Sequence, residues 1–290
     1  MTKSKLQPLE RIGKYEVVRL IRSTGNSDLY LCHDLDLEAK IVIKVFAAKD
    51  RLLEALPYTR ENWRTRFINE ARLLGQIDHP NVISVREMLW LESEPCYVMP
   101  WVETSLLNEM GKDAEGESGA YPPELDDIPY SKKLSINRSI DLLSQIAAGL
   151  KAFHDLGLVH RDIKPGNILI SQVNTGDVKI CDPGLVKFPD NDESLGDYWF
   201  GTRDYISPEQ LGCEPEIDRR ADFFSLGVIG YRMLSGKLPV GVFPGLDEEV
   251  NDIPAALNDL IMACLSNDKN MRPDDTDRTL EQLELAKASL

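Results

Sequence analysis

Apolar and polar positions alternate in the first hundred residues in a way that is typical of β-strands. The alternation is clearest from Tyr15 to Ile21, and short β-branched or apolar runs follow at 28–32, 41–46 and 96–99. Both patterns predict strands. One stretch between them, 61–77, carries its apolar residues at steps of three and four, which predicts a helix.

From about residue 135 the period of the apolar positions becomes helical. The first such segment has an apolar stripe formed by Ile136, Ile140, Leu143, Ala147 and Leu150. Three more segments, at 223–234, 257–265 and 280–287, have helical spacing, and the first of these is apolar almost all round, as a buried helix would be. The chain therefore divides into a strand-rich first part and a helical second part.

The chain is acidic, with 48 Asp and Glu against 33 Lys and Arg and a net charge of −15. A surface of this charge repels phosphate backbones and anionic lipids, so we expect no nucleic-acid partner. No apolar run approaches the roughly 18 to 20 residues that a membrane segment needs, so we expect none in this chain. Five scattered cysteines, an odd number without a CxxC spacing, argue against a disulfide framework and favour a cytoplasmic location.

One segment differs from the rest in composition. Residues 112–129 combine glycine and proline with six acidic side chains, and we interpret about 109–131 as an acidic surface insertion. A specific partner site in this segment is the alternative.

Three short motifs carry candidate chemistry, and they occur in a fixed order. They are His160-Arg161-Asp162-Ile163-Lys164-Pro165-Gly166-Asn167, then Asp182-Pro183-Gly184, then Ser207-Pro208-Glu209. Other residues fit the same order: Ile41-Val42-Ile43-Lys44, Glu70, Gly201-Thr202, Asp222 and Arg272. Over residues 14–285 this set resembles the eukaryotic-like (Hanks-type) Ser/Thr protein kinases.

The resemblance implies an α+β, bilobal protein-kinase-like fold. A β-rich N-lobe would span 1–99, and a mainly helical C-lobe would span 100–290. It also implies transfer of the ATP γ-phosphate to Ser or Thr hydroxyls of proteins, with Mg²⁺ as the metal and Mn²⁺ as a possible substitute.

The resemblance assigns roles to individual residues. Asp162 would orient the substrate hydroxyl or take its proton, and Lys164 would neutralise the transferring phosphoryl group. Asn167, which the resemblance also counts as catalytic, and Asp182 would supply oxygen ligands to Mg²⁺. Lys44 would contact the α- and β-phosphates.

Glu70 is expected to hold the Lys44 ammonium, since it shares a helix face with Leu74 and so points inward. The resemblance further implies a set of residues around the adenine base. These are Ile21, Leu29, Val42, Met99, Pro100, Val102 and Leu169.

Four more residues match structural positions of the family. Glu209 and Arg272 resemble a buried ion pair, and Asp222 resembles an aspartate that anchors the backbone of the catalytic loop. His160 is interpreted as a packing residue. His154 has no metal-ligand spacing and is expected to be a surface or structural residue.

The family pattern is incomplete at two places. Arg22, Thr24 and Ser27 occupy the three glycine positions of the phosphate-cradling loop, and Pro183 stands where the family usually has Phe. Because those glycines let backbone N–H groups approach phosphate, we expect weaker ATP binding. Proline restricts the backbone on both sides, so the Asp182 motif should be less able to flip.

Two other functions remain open at this stage. A pseudokinase, which binds nucleotide or serves as a scaffold, is favoured by these departures. A small-molecule kinase of the aminoglycoside type shares an HxDxxxxN loop but lacks the Lys164-Pro165 and Ser-Pro-Glu features. Acidic residues at 190–197 and 247–252 predict protein substrates with basic flanking residues. The acidic residues at 190–197 alone also predict little need for activation-loop phosphorylation.

Overall fold

The computed structural model describes residues 6–8, 10–55, 58–111, 131–172, 176–183, 203–212 and 216–290. They form two compact units. The first runs to Asp78 and continues over Ile83–Val102, and the second contains His79–Val82 and Glu103–Leu290. Residues 112–130 of the acidic insertion and most of the segment between Asp182 and Glu209 lie outside the described residues.

The first unit is built on an antiparallel sheet of six strands in the order β1-β2-β3-β4-β6-β5. The strands are β1 (Arg11–Ile12), β2 (Tyr15–Ser23), β3 (Ser27–Asp34), β4 (Ala39–Phe46), β5 (Glu87–Leu91) and β6 (Glu94–Pro100). The four strands expected from the alternation at 15–21 and from the apolar runs at 28–32, 41–46 and 96–99 are confirmed as β2, β3, β4 and β6. The edge strand β1 has only two residues, and the edge strand β5 lacks an alternation of apolar and polar residues, so neither gives a periodic signal.

Alternate residues of the central strands cover the two faces of this sheet. Ile41, Ile43 and Val45 of β4 join an apolar cluster on one face with Cys96 and Val98 of β6. The residues between them, including Lys44 and Tyr97, lie on the other face, because side chains alternate along a strand.

The second face is covered by a helix. After α1 (Asp50–Ala55), α2 spans Arg60–Gln76 and begins with a capping box between Thr59 and Asn62. Its buried side is formed by Trp63, Phe67, Glu70, Ala71, Leu73 and Leu74. This confirms both the helix expected over 61–77 and the inward position of Glu70.

The second unit is mainly helical. A three-stranded sheet, β7-β8-β9, consists of β7 (Thr104–Ser105), β8 (Ile168–Ile170) and β9 (Val178–Ile180). The helices are α3 (Leu106–Met110), α4 (Ile136–His154), α5 (Pro208–Leu211), α6 (Arg220–Ser235), α7 (Leu246–Glu249), α8 (Ala255–Cys264) and α9 (Thr276–Ala288). α4 packs against α6 and α9, and α8 packs against the same two helices.

Helix α6 confirms the expectation of a buried helix. Fourteen of its residues are buried, among them the arginine Arg232. The guanidinium of Arg232 donates to the carbonyl oxygens of Met110 and Gly111, at 3.4 and 2.8 Å. Within the described part of the chain, no helix is both long and apolar enough to cross a membrane.

The division into units differs from the predicted boundary after Met99. The first unit continues to Val102, and the second also contains His79–Val82. Backbone pairing explains the second difference, because Val82 forms a bridge with Ile180 and the Ile180 amide donates to the Asn81 carbonyl at 2.8 Å.

Candidate active site

Three polar side chains converge in the segment between α4 and β8. The Lys164 ammonium lies 2.8 Å from each carboxylate oxygen of Asp162. The Asn167 amide donates to Asp162 twice, to the carbonyl oxygen and to Oδ2, both at 2.9 Å. A single carboxylate therefore receives an ammonium and an amide while Asp162 remains partly accessible to solvent.

Asp162 is held in an environment that suits a proton acceptor. Burial raises the pKa of Asp162, the nearby Asp182 carboxylate raises it further, and Lys164 lowers it. A carboxylate with a raised pKa is a stronger base than one on an open surface.

The segment that carries Asp162 is held by hydrogen bonds to Asp222 of α6. Asp222 is completely buried, and its carboxylate accepts the backbone amides of His160 and Arg161 at 2.9 and 2.8 Å. Arg161 has a φ of 65°, in the left-handed region that L-residues rarely adopt. These hydrogen bonds help to stabilise that conformation, and the expected anchoring role of Asp222 is confirmed.

The histidines of this region are structural. The His160 ring packs edge-on against Phe153 and its Nδ1 accepts the Asp162 amide at 3.3 Å, which agrees with the expected packing role. His154, at the end of α4, lies 2.9 Å from Asp222 through Nε2 and 3.1 Å from Thr276 through Nδ1. Sequence spacing gave no signal for this link, because the three residues are far apart in the chain.

Asp182 follows β9 in the same unit. It has a φ of 63°, and the next residue, Pro183, is buried. The amide of Cys181, the residue before Asp182, donates to the Asn167 carbonyl at 3.0 Å. This backbone hydrogen bond connects the segments that carry the two predicted metal-binding residues.

The donor chemistry at Asn167 and Asp182 fits Mg²⁺. Both Asn167 amide hydrogens are used toward Asp162, which leaves the amide oxygen as the group able to meet a cation. Two protein oxygen donors suffice for a Mg²⁺ that keeps water and phosphate ligands. Among the described residues no cluster of three His, Cys, Asp or Glu forms a metal cage.

The first unit contains a second polar group. Lys44 of β4 donates to Glu70 Oε1 of α2 at 2.7 Å, and both side chains are buried. This contact confirms the predicted pairing of Lys44 with Glu70. Tyr97 of β6, which the sequence did not single out, donates to the same Oε1 at 2.5 Å.

The candidate adenine residues of the first unit lie on β2, β3, β4 and β6 and just beyond β6. Strand register places Val42 opposite Met99 and Leu29 opposite Lys44. The exposure of the set varies: Val42, Met99 and Val102 are buried, and Ile21, Leu29 and Pro100 are half-buried. In the second unit, Leu169 is half-buried on β8.

The turn between β2 and β3 is closed by its own polar groups. The Thr24 amide donates to the Ser27 carbonyl at 2.8 Å, and the Ser27 amide donates to Thr24 Oγ1 at 3.1 Å. Lys49 reaches the turn from the segment before α1, where its ammonium contacts Ser23 Oγ, the Thr24 carbonyl and Asp28. The amides at the second and third glycine positions are therefore already used within the turn.

A buried ion pair supports the second unit. Arg272 donates to both carboxylate oxygens of Glu209, at 2.7 and 2.8 Å, and also to the Ser266 carbonyl at 2.8 Å. Burial would raise the pKa of Glu209, but hydrogen bonds from Arg272, the Glu209 amide and Ser207, together with the charge of Arg272, lower that pKa overall. The predicted Glu209–Arg272 pair is confirmed.

Comparison with known proteins agrees with this geometry. The model of the protein kinase domain matches residues 15–283. The chain belongs to the protein kinase family. The kinase domain is 31% identical over 299 residues to the serine/threonine-protein kinase pkn2 of Myxococcus xanthus, a match that covers 96% of this chain and 33% of that protein.

A second relative is PknA of Mycobacterium tuberculosis, a serine/threonine-protein kinase. It is 33% identical over 238 residues, which cover 78% of this chain and 48% of PknA. The kinase domain thus spans a third to a half of the length of these relatives. Kinases of this family generally use ATP and Mg²⁺.

A solved structure supports the fold of the kinase domain. The crystal structure of the PknI kinase domain from Mycobacterium tuberculosis matches with a TM-score of 0.67 at 19% identity, over 97% of this chain and 100% of that chain. This similarity confirms the predicted α+β kinase fold, with a β-rich N-lobe and a helical C-lobe.

Proposed function

We propose that this chain transfers the γ-phosphate of ATP to serine or threonine hydroxyls of proteins. The observation that supports this most strongly is the arrangement of Lys164 and Asn167 around the Asp162 carboxylate. It combines a base with a cation that can balance charge on a transferring phosphoryl group.

In this proposal Asp162 orients the attacking hydroxyl and receives its proton. The Lys164 ammonium, now shared between both Asp162 oxygens, would donate to the phosphoryl oxygens when substrate is present. Asn167 and Asp182 would hold Mg²⁺, whose chemistry is to neutralise phosphate charge, and Mn²⁺ could replace it. Lys44, held by Glu70, would pair with the α- and β-phosphates.

We also propose that the turn between β2 and β3 takes the place of a glycine-rich phosphate loop. Its Thr24 and Ser27 amides are engaged inside the turn, so fewer backbone donors are left for phosphate. ATP affinity would then depend more on Lys44. The adenine base would contact Val42, Met99 and the backbone near Pro100 and Val102, with Ile21, Leu29 and Leu169 completing the apolar set.

Pro183 belongs to the same proposal. It is buried beside a positive-φ Asp182, and its ring restricts backbone rotation on both sides. The backbone of the Asp182 motif would therefore be less able to flip away from the metal site.

A pseudokinase is the alternative function, because the turn between β2 and β3 uses its own amides. Incubation with labelled Mg-ATP and a generic basic acceptor, for the wild type and Asp162→Ala, separates the two. Transfer of label by the wild type alone supports catalysis. A thermal shift on adding nucleotide, without transfer by either protein, would establish the pseudokinase.

The preferred protein substrates are proposed to carry basic flanking residues. Asp247, Glu248 and Asp252 are exposed around α7, whereas Glu249 is engaged by Lys237 at 2.8 Å. Opposite charges favour association, so a serine peptide with flanking arginines should have a lower KM than a matched glutamate peptide at low salt. A lower KM for the acidic peptide would overturn this substrate preference.

Activation-loop phosphorylation is proposed to be dispensable. The acidic residues at 190–197, which lie outside the described residues, would pair with Arg161 in place of a phosphate. Ser194→Ala should then keep full activity, and an inactive Ser194→Ala protein would contradict this proposal.

A cytoplasmic location remains a prediction from the cysteine usage.

A further inference from the structure

Tyr97 is placed where it contacts both members of the Lys44–Glu70 pair. Its hydroxyl donates to Glu70 Oε1 at 2.5 Å, and the same oxygen receives Lys44 Nζ at 2.7 Å. The Lys44 ammonium also lies 5.7 Å from the centroid of the Tyr97 ring. Tyr97 is only 1% exposed, so water does not compete for these contacts.

The sheet register places the side chains of Lys44 and Tyr97 next to each other. Lys44 of β4 and Tyr97 of β6 are direct cross-strand partners, so their side chains project from the same face side by side. α2 covers that face and brings Glu70 over both residues, while its Phe67 ring packs 5.1 Å from the Tyr97 ring. The positions of all three polar groups are thus determined by backbone elements of one unit.

The Tyr97 hydroxyl restrains the Glu70 side chain, which could otherwise adopt several rotamers. Glu70 has three rotatable bonds, and a lysine ammonium is a point charge that tolerates many carboxylate orientations. A neutral tyrosine donating to a carboxylate forms a charge-assisted hydrogen bond with a defined direction. It therefore limits the orientations in which Glu70 can meet Lys44.

We propose that Tyr97 is a positioning residue that holds Glu70 against Lys44 and so keeps the Lys44 ammonium ready for nucleotide phosphates. This inference rests on the proposed function for the role of Lys44. It explains how a kinase with few free amides in its phosphate-loop turn would still bind ATP, because the cation is oriented before nucleotide arrives.

The test compares two tyrosines of the same sheet. Tyr97→Phe removes the hydroxyl and keeps the ring packing. Tyr30→Phe is the matched control, since Tyr30 is 3% exposed and its hydroxyl accepts only a 3.3 Å hydrogen bond from the Leu6 amide among the contacts of the described chain. Glu70→Gln and the Tyr97→Phe/Glu70→Gln double variant complete a cycle.

We expect the substitution to change the kinetic constants for ATP and to leave those for the acceptor protein unchanged. Tyr97→Phe should lower kcat/KM for ATP about tenfold, which corresponds to about 1.4 kcal/mol, with the KM for the acceptor protein unchanged within about twofold. The double variant should be no worse than Glu70→Gln alone, because Tyr97 acts through Glu70.

Calorimetric Kd values for Mg-ATP keep the two proposals distinguishable. If the wild type binds ATP but transfers no phosphate, the proposed function fails, and an approximately tenfold weaker Kd in Tyr97→Phe still supports the positioning role. If Tyr97→Phe behaves like Tyr30→Phe, or if its effect adds fully to that of Glu70→Gln, the positioning role is overturned. Absence of nucleotide binding in every protein overturns both.

Discussion

Asp222 holds Arg161 by a 2.8 Å hydrogen bond from the Arg161 amide to its buried carboxylate, and Arg161 has a φ of 65°. An unusual backbone conformation persists only where surrounding contacts require it. Asp162 is the next residue, so the position of the candidate base depends on this bond.

Replacing Asp222 should therefore affect both stability and activity. Asp222→Asn keeps one acceptor oxygen and converts the other to a donor, which leaves at least one buried amide without an acceptor. We expect a loss of about 2 kcal/mol in the free energy of unfolding and roughly a hundredfold loss in kcat. Urea unfolding and steady-state kinetics measure the two effects.

Asp218→Asn is the control, because Asp218 precedes the same helix but its side chain is 46% exposed. It should leave both quantities nearly unchanged. An Asp222→Asn protein as stable and active as this control would show that the Arg161 conformation does not need the carboxylate.

The Glu209–Arg272 pair predicts a pH-dependent stability. Arg272→Met leaves a buried carboxylate unpaired, so we expect a loss of about 3 to 5 kcal/mol at neutral pH. The pKa of Glu209 is lowered in the folded state, so the stabilisation is present above the unfolded pKa of about 4.3 and is lost as pH falls through the lower folded value.

Urea unfolding of the wild type and Arg272→Met across acidic pH tests this. The difference between the two proteins should be largest near neutrality and should shrink as Glu209 becomes protonated. A difference that stays constant down to the acid limit of folding would mean that packing of Arg272 over Phe224, 5.0 Å away, carries the effect.

Asp162→Asn should separate activity from stability. Burial raises the pKa of Asp162 in the folded state, so its ionised form is less favourable there than in the unfolded chain, and this cost is present at pH values above the folded pKa. The amide removes that cost, and we expect a free energy of unfolding at neutral pH no lower than that of the wild type. A clear loss of stability in urea unfolding would contradict the direction of this pKa shift.

Lys49 is expected to fasten the turn between β2 and β3. Lys49→Met removes the ammonium contacts with Ser23, Thr24 and Asp28, and should cost about 1 kcal/mol of local stability. Amide hydrogen exchange of residues 23–28 should quicken several-fold. Lys40→Met, at an exposed position of the same sheet, should not change it, and equal exchange in the two variants would refute the role of Lys49.

Hydrophobic pattern predicted the long elements well because it matches their burial. β2 alternates at its start, β4 is an apolar run that is buried on both faces, and α2 and α4 carry apolar residues at helical steps. Short elements such as β1, β7 and α7 have two to four residues and depend on tertiary pairing, which a local pattern does not encode.

The ordered motif predicted the candidate residues Asp162 and Lys164, which the structure brings together, and the Lys44–Glu70 contact. Two partners were missed for a physical reason. Tyr97 resembles an ordinary aromatic strand residue and His154 an ordinary helix-end residue, and only strand register and helix packing bring them to Glu70 and Asp222. The amides used inside the β2–β3 turn were equally invisible in sequence.

The central claim is that the group around Asp162 transfers phosphate, and single-turnover transfer tests it most directly. Wild type and Asp162→Asn would be mixed with saturating Mg-ATP and a basic serine peptide, and the rate of phosphopeptide formation followed. We predict transfer by the wild type to the serine hydroxyl and a rate lower by about 10²- to 10⁴-fold in Asp162→Asn. Equal rates in the two proteins, or no phosphopeptide from either, would contradict the account.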